Sequence, residues 1–506
     1  MEKNYDFAII GSGLGGLICA NILLLEGYNV VVIEKNNQFG GNLQTFSRDK
    51  RIFDTGVHYI GSLDKGEHLY KIFSYLGIYN ELKLKKMDET FDFISFDGDP
   101  NQYPYSQGKD NFVKNLLEFF PEEREALEKY IDLIEYYCFC FPLHNLEKRE
   151  FCWDKNLSLM EKKADEVINS LTQNTKLRAV LSGINFLYAG EKDTTPFYVH
   201  ALIVNSYLNS AWRCRRGGSQ IAKLLTRNIR HLGGKLIKNT KVEEIVIKNT
   251  QVEYLKLSDD KEIYSKNYIS GIDARQLLTL FKGDSIKKSY YKRINENKDT
   301  ISSFSLFLTL KPETILYRNA NQYHFKNEDR VWEIVNYSEN SWPEGYMISF
   351  SADEKNEAYA KEMTILTYMH FKEVKQWENS FNTISNKSER GPEYEKFKNN
   401  FAERLLDEVE QMIPGLKDSI IGSYTSTPLT YRDYIGTSSG GMYGFVKDAS
   451  NPMQSFLLPQ TKLKNLFLTG QSTGLHGIYG VAIGSILTCS EFIGKDYLLD
   501  KINSSD

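Results

Sequence analysis

The sequence predicts an α/β protein: a Rossmann-like nucleotide-binding domain assembled from discontinuous segments, an α+β substrate domain and a helical cap. Three observations predict it. The chain opens with an apolar strand that runs into "GSGLGG" and an apolar helix. It closes with a second strand, glycine loop and helix, "NLFLTGQSTGLHGIYGVAIG", at 465–484. Between them, residues 235–273 alternate in the manner of hairpin strands and end in "YISGID", like a β-meander that returns to the nucleotide domain. At 506 residues the chain is too long for one ordinary core, so two or three domains are expected.

In the first unit, "YDFAII" (5–10) reads as a buried parallel strand, "LICANILLLEG" as the helix, and "NVVVIEK" as the second strand, ending on Glu34. Gly11 permits the tight turn, Gly13 lets a diphosphate approach the backbone, and Gly16 lets the helix pack close on the strands. The positive end of the helix then faces the phosphates. Glu34 stands 18 residues beyond Gly16, where a carboxylate accepts hydrogen bonds from ribose hydroxyls and repels a 2′-phosphate. The glycine pair Gly40 and Gly41 follows within reach of the same pocket, in a loop that a plain NAD domain lacks. The extended stretch "RIFDTGVHYIG" (51–61) comes next, and Val242 is placed where a backbone meets an adenine.

Composition narrows the function. Hydrophobic residues make up 41% and charged residues 25%, as in soluble globular proteins. A net charge of −4 favours no polyanionic partner, and nucleic acid is set aside. The six cysteines form neither a CxxC pair nor a cluster with histidines at metal spacing, so free thiols in a reducing compartment and no metal are expected. No segment reaches the roughly 18 apolar residues needed to span a bilayer, and the N-terminus is not read as a signal peptide. The greasiest stretch, "YYCFCFPL" (136–143), reads as a buried helix end, with contact at a membrane surface as the alternative.

Taken together, "IIGSGLGGL", "FDTGVHYIG", "HALIVNSYLNSAWRCRRGGSQIAKLLTRNI" (200–229), "TSTPLTYRDYIGTSSGGMYG" (425–444) and the closing motif resemble the phytoene desaturase superfamily. Within it they are most similar to the retinol saturase and carotenoid isomerase branch, over nearly the whole chain. The resemblance implies the two-dinucleotide-binding-domain flavoprotein fold with an extended FAD. Gly11, Gly13, Gly16, Glu34, Gly40, Gly41 and Val242 would serve its adenosine and diphosphate half. Gly470 and Gln471 would serve the ribityl chain, and the helix start near Ile478 and Val481 the ring. A helix N-terminus there favours negative charge on the reduced ring. Two positions depart from the family pattern: Asn42 stands where many relatives have arginine, and Gln471 where many have aspartate.

No second strand–GxGxxG–helix unit appears, so a resident NAD(P)H domain is not expected, and the flavin must exchange hydrogen directly with its substrate. The resemblance implies an FAD-dependent oxidoreductase acting on a C–C or C=C bond of a polyene isoprenoid or retinoid-like lipid, reduction being favoured. Desaturation or isomerisation of a phytoene- or carotenoid-type lipid stays as the alternative; a flavin-free lipid carrier or an amine oxidase are lesser ones. The resemblance implies that His58, Tyr59 and His476 lie near the flavin, which makes them the candidates for the proton-handling group. His200, at helical spacing, reads as packed. The expected division is an FAD-binding domain from 1–85, 200–285 and 425–500, a helical cap over 86–199, and a substrate-binding domain over 286–424. A cytoplasmic protein peripheral to membranes, with a hydrophobic substrate and an unidentified electron partner, completes the expectation.

Overall fold

The computed structural model describes residues 5–282, 286–384 and 387–505. Its organising element is a five-stranded sheet in the order Lys235–Ile237, Val30–Ile33, Tyr5–Ile10, Ser265–Ser270, Leu466–Leu468, every neighbouring pair parallel. These strands read as near-continuous apolar runs because helices or strands cover both faces. On one face the helices Leu14–Leu25, Ser219–His231 and Gly477–Ile493 pack together, burying Leu17, Ile18, Leu23, Ile221, Leu225, Ile483 and Ile486. On the other lie the antiparallel strands Val242–Lys248, Gln251–Leu257 and Glu262–Ile263 and the helix Ala274–Leu280.

One sheet therefore draws strands from the start, the middle and the end of the chain. The expected meander is present, with Ser265–Ser270 returning to the central sheet; Lys235–Ile237 also joins that sheet rather than the meander. Residues 1–4 and 285, where two of the expected segments begin or end, lie outside the described residues.

A second sheet has seven strands, in the order Ile420–Ser426, Ser302–Leu310, Ala360–Met369, Gly345–Ala352, Asn321–Phe325, Thr90–Phe96, Tyr103–Ser106. All pairs are antiparallel except Asn321–Phe325 with Thr90–Phe96. The amphipathic helix Pro392–Met412 packs through Phe401, Leu405 and Val409 beneath this sheet. The expected, mostly helical cap over 86–199 opens with two strands. "TFDFISF" and "YPYS" are strands of this sheet, and helices dominate only from Lys109 onward. Aromatic and β-branched residues in these runs suit a pleated surface that the sheet buries.

A small three-stranded sheet ties two motifs together: Ile60–Gly61 and Leu84–Lys86 both pair with Ala211–Cys214. The turn after it, with Arg216 and Gly217 at positive φ, aims the Gly218 amide at Asp54 Oδ1, 2.7 Å away. No helix among the described residues is long and apolar enough to cross a membrane, and all six cysteines are free.

Candidate active site

The two glycine-rich units meet. A Cβ on Gly15 would stand 2.8 Å from the Gly470 nitrogen, so the loops touch backbone to backbone and any side chain there would separate them. Gly16 lies behind the contact. A Cβ on it would sit 2.3 Å from the Gly11 carbonyl, which is the close helix–strand packing expected of it.

A continuous cleft runs from this junction in both directions. Gly11, Gly13, Glu34, Gly40, Gly41, Val242, Gly470, Gln471, Ile478 and Val481 all line it. At one end Glu34 accepts from the Ser12 amide at 3.0 Å and hydroxyl at 2.6 Å, and from the Asn36 amide at 2.8 Å. These bonds fix the carboxylate at the strand end where it borders the cleft. At the other end the helix Gly477–Ile493 begins, its first turn carrying backbone N–H groups without helical partners. A third wall comes from the motif at 425–444. The helix Pro428–Ile435, capped by Thr427, ends at Gly436 with φ +92°, and Tyr431, Tyr434, Thr437 and Tyr443 face the cleft. Sequence reading used this motif for resemblance alone and assigned none of its residues to the site.

The lining fits an extended dinucleotide. Gly13 is open: a Cβ there meets nothing within 4 Å, so the space above it is free for a bulky group. Thr437 Oγ1 is buried, borders the cleft and has no protein partner, as suits a hydroxyl that bonds a ligand.

Next to the Gly477 end of the cleft lies a smaller, mainly apolar cavity with 70 Å³ of free volume, lined by Tyr59, Ile60, Leu187, Leu202, Tyr207 and His476 among others. Gly477 and Ile478 border both spaces, so the cavity meets the cleft at the start of the helix. Of the three candidate proton groups, the structure places Tyr59 and His476 in this cavity. His58, one residue along an extended segment, lines neither space, and its Nε2 is buried without a partner.

The electrostatics separate the candidates further. Burial, with the positive charge of Arg213, pushes His58 down to about 4. Burial pushes His476 down to about 4 as well, and its Nε2–H donates to the Leu187 carbonyl at 2.8 Å. Both imidazoles are neutral at pH 7 and neither holds a second proton to give. His200 is packed, bonded to Tyr130 at 2.7 Å and Tyr188 at 2.8 Å.

Tyr59 is different. Its hydroxyl donates to Asp92 Oδ2 at 2.7 Å and shares a 2.8 Å bond with the Tyr323 hydroxyl. Asn321, opposite Asp92 in the parallel strand pair, donates to Asp92 Oδ1 at 2.7 Å. Arg213 in turn donates to Asn321 Oδ1 and to Ser349 Oγ, both at 2.8 Å. Sequence reasoning missed Asp92, although a lone aspartate between Phe91 and Phe93 in an apolar strand is itself a signal, because a buried carboxyl needs a partner.

The fold and the cleft are those of the two-dinucleotide-binding-domain flavoprotein architecture. Residues 9–76 match the NAD(P)-binding Rossmann-like domain family. The chain is a homologue of the all-trans-retinol 13,14-reductases and of the prolycopene isomerases. It is 27% identical to the all-trans-retinol 13,14-reductase of Rattus norvegicus, over 99% of this chain and 87% of that protein. It is 24% identical to prolycopene isomerase 1 of an Oncidium hybrid cultivar, over 99% and 85% respectively. Among solved structures, an oxidoreductase from Methanosarcina mazei shares the fold with a TM-score of 0.64 at 15% identity, covering 95% of this chain and 98% of that one.

Proposed function

We propose that this protein is an FAD-dependent oxidoreductase that adds hydrogen across a C=C bond of a polyene lipid of retinoid or isoprenoid type. One observation carries the reading from the relatives to this chain: an apolar cavity with a buried hydroxyl network behind it meets the dinucleotide cleft at Gly477–Ile478. Gly11, Gly13 and Gly41 would hold the diphosphate, Glu34 the adenosine ribose, and Val242 would flank the adenine. Gln471 would bond the ribityl chain and Gly477–Val481 would face the ring. When bound, the flavin supplies two electrons and one hydrogen to one carbon of the double bond. The apolar walls exclude water and hold the polyene against the helix start, whose free N–H groups favour negative charge placed on them. The free volume is smaller than a polyene, so binding requires side chains such as Leu202 and Tyr207 to turn aside.

The test uses the purified protein with its flavin reduced or oxidised, incubated anaerobically with a panel of polyene alcohols and hydrocarbons, with products read by mass. A gain of two hydrogens with the reduced protein is expected. A loss of two with the oxidised protein would assign a desaturase instead, and a product of unchanged mass that separates from the substrate on chromatography an isomerase.

A lipid substrate also implies an encounter with a lipid surface, and the "YYCFCFPL" helix end supplies a candidate. It is buried on one side only: Tyr137, Cys138 and Phe141 are inside, while Tyr136 and Phe139 are exposed, as is Trp153 of the next helix. Arg149 lies over the Phe139 ring and Lys155 over the Tyr136 ring, placing cations among the aromatics. The protein is expected to sediment with anionic liposomes, and Phe139→Glu with Trp153→Glu to reduce the bound fraction several-fold. Equal sedimentation of the double variant would remove this surface from the proposal.

A further inference from the structure

A reduction that delivers one hydrogen from the flavin must find a proton for the second carbon, and the structure contains a built source for it. Behind the cavity stand Tyr59, Asp92, Asn321, Tyr323 and Arg213, each no more than 8% exposed. They come from the loop after Asp54, two neighbouring strands of the seven-stranded sheet, and the strand Ala211–Cys214. Of the five, Tyr59 lines the cavity. Among the described residues no cation pairs directly with Asp92, since Arg213 reaches it through Asn321. The carboxyl faces Tyr59 and Tyr323, with Tyr207 and Tyr105 close by, and the Arg213 guanidinium acts on it from behind Asn321. Burial dominates and lifts Asp92 to about 8, so at neutral pH the carboxyl is protonated. With that proton on Oδ2 the 2.7 Å bond would reverse, Asp92 donating to Tyr59 Oη, and the phenolic proton would turn to Tyr323 or to the cavity.

We propose that Tyr59 gives the proton to the substrate carbon and that Asp92, acting through Tyr59, restores it. This rests on the reading of the cavity as the polyene site. A C–H bond forms at the second carbon as the Tyr59 O–H bond breaks. In the same step the Asp92 O–H bond breaks to re-form the phenol, so no phenolate accumulates, and a carboxylate remains beside the amide of Asn321. Both electrons come from the reduced flavin, and water reprotonates Asp92 once product has left. The product thus carries one hydrogen from the flavin and one that originates in solvent. The two neutral histidines have no part in the transfer.

Two variants test it. Asp92→Asn keeps the shape and both hydrogen bonds but holds no transferable proton; Tyr59→Phe removes the donor. Both are expected to fold and retain flavin, Asp92→Asn with the wild-type unfolding midpoint and Tyr59→Phe with a lower one, because it leaves buried Asp92 and Tyr323 short of a partner. In single turnovers of the reduced protein with the polyene, Tyr59→Phe is expected to lose about 10²–10⁴-fold in rate, the range for a general acid. The wild-type rate should fall above pH about 8, as Asp92 loses its proton, and Asp92→Asn should be slower at pH 7 and lack that fall. A second readout needs no turnover: infrared difference spectra between acid and alkaline pH should show a carboxylic-acid C=O band in the wild type that Asp92→Asn lacks. A variant Asp92→Asn with the wild-type rate and alkaline limb overturns the proposal, as does absence of the infrared band. If the wild type reduces no polyene, the function reading fails and the delivery step with it, while the band separately reports whether Asp92 stores a proton.

Discussion

Gly13→Val is expected to fold as the wild type does and to emerge without flavin. The residue has φ −62° and ψ 172°, an extended conformation that valine adopts freely, and it caps the helix Leu14–Leu25 without a side-chain bond to lose. A Cβ there touches no protein atom within 4 Å, so the polypeptide leaves room for a side chain and the cost to folding is that of a poorer helix cap. The added isopropyl group instead occupies the cleft between Gly11, Gly41 and Gly470, where the diphosphate would lie. A loss of at least a hundredfold in flavin affinity is expected, or about 3 kcal/mol. Flavin absorbance of the purified variant and its unfolding midpoint without added cofactor are the two measurements. Gly16→Val is the contrasting control: its Cβ falls 2.3 Å from the Gly11 carbonyl, so that variant should fail in folding, not in binding. Recovery of Gly13→Val with a full complement of flavin would show that the diphosphate lies elsewhere.

The contrast between these two glycines also shows what a sequence discloses. The strand, glycine turn and helix of each unit are local, set by an apolar run, residues free to turn and the next apolar run. Gly11, Gly13, Glu34, Gly470 and Ile478 could therefore be singled out from spacing and resemblance, and they line one cleft. That Gly15 and Gly470 are in contact could not be read from spacing, because it depends on Leu466–Leu468 pairing with Ser265–Ser270 across almost two hundred residues. The network behind Tyr59 was hidden for the same reason. Asp92 and Asn321 become partners through strand register, and Arg213 joins them from a third segment. Local pattern was incomplete at 86–199, where abundant helix masked two strands, the hairpin of Thr90–Phe96 with Tyr103–Ser106, whose link to the second sheet is through Asn321–Phe325.

Asp433→Ala should be the most destabilising single change at the cleft wall. Asp433 is fully buried at the end of the helix Pro428–Ile435. Its carboxylate accepts from Arg390, from Arg432 Nε at 2.8 Å and Nη2 at 2.7 Å, and from the Asn382 amide at 2.8 Å. Removing the carboxylate leaves two guanidinium groups at low exposure with no counter-charge, a situation that costs about 3–5 kcal/mol. The pair lies below the surface, so added salt should restore little of the loss. The effect should also reach the ligand. The same helix end is tied to the strand end beside Glu34 by Lys35 Nζ to the Asp433 carbonyl at 3.2 Å and by Asn36 Nδ2 to the Tyr434 carbonyl at 2.9 Å, and it positions Tyr434 and Thr437 on the cleft. Urea unfolding of the flavin-free protein should show the midpoint falling, with Asp433→Asn intermediate because the amide still accepts hydrogen bonds but carries no charge. Flavin retention should fall in the same order. An unchanged midpoint in Asp433→Ala would mean that Arg390 and Arg432 find water once released, and that the wall of the cleft is held by Lys35 and Asn36 alone.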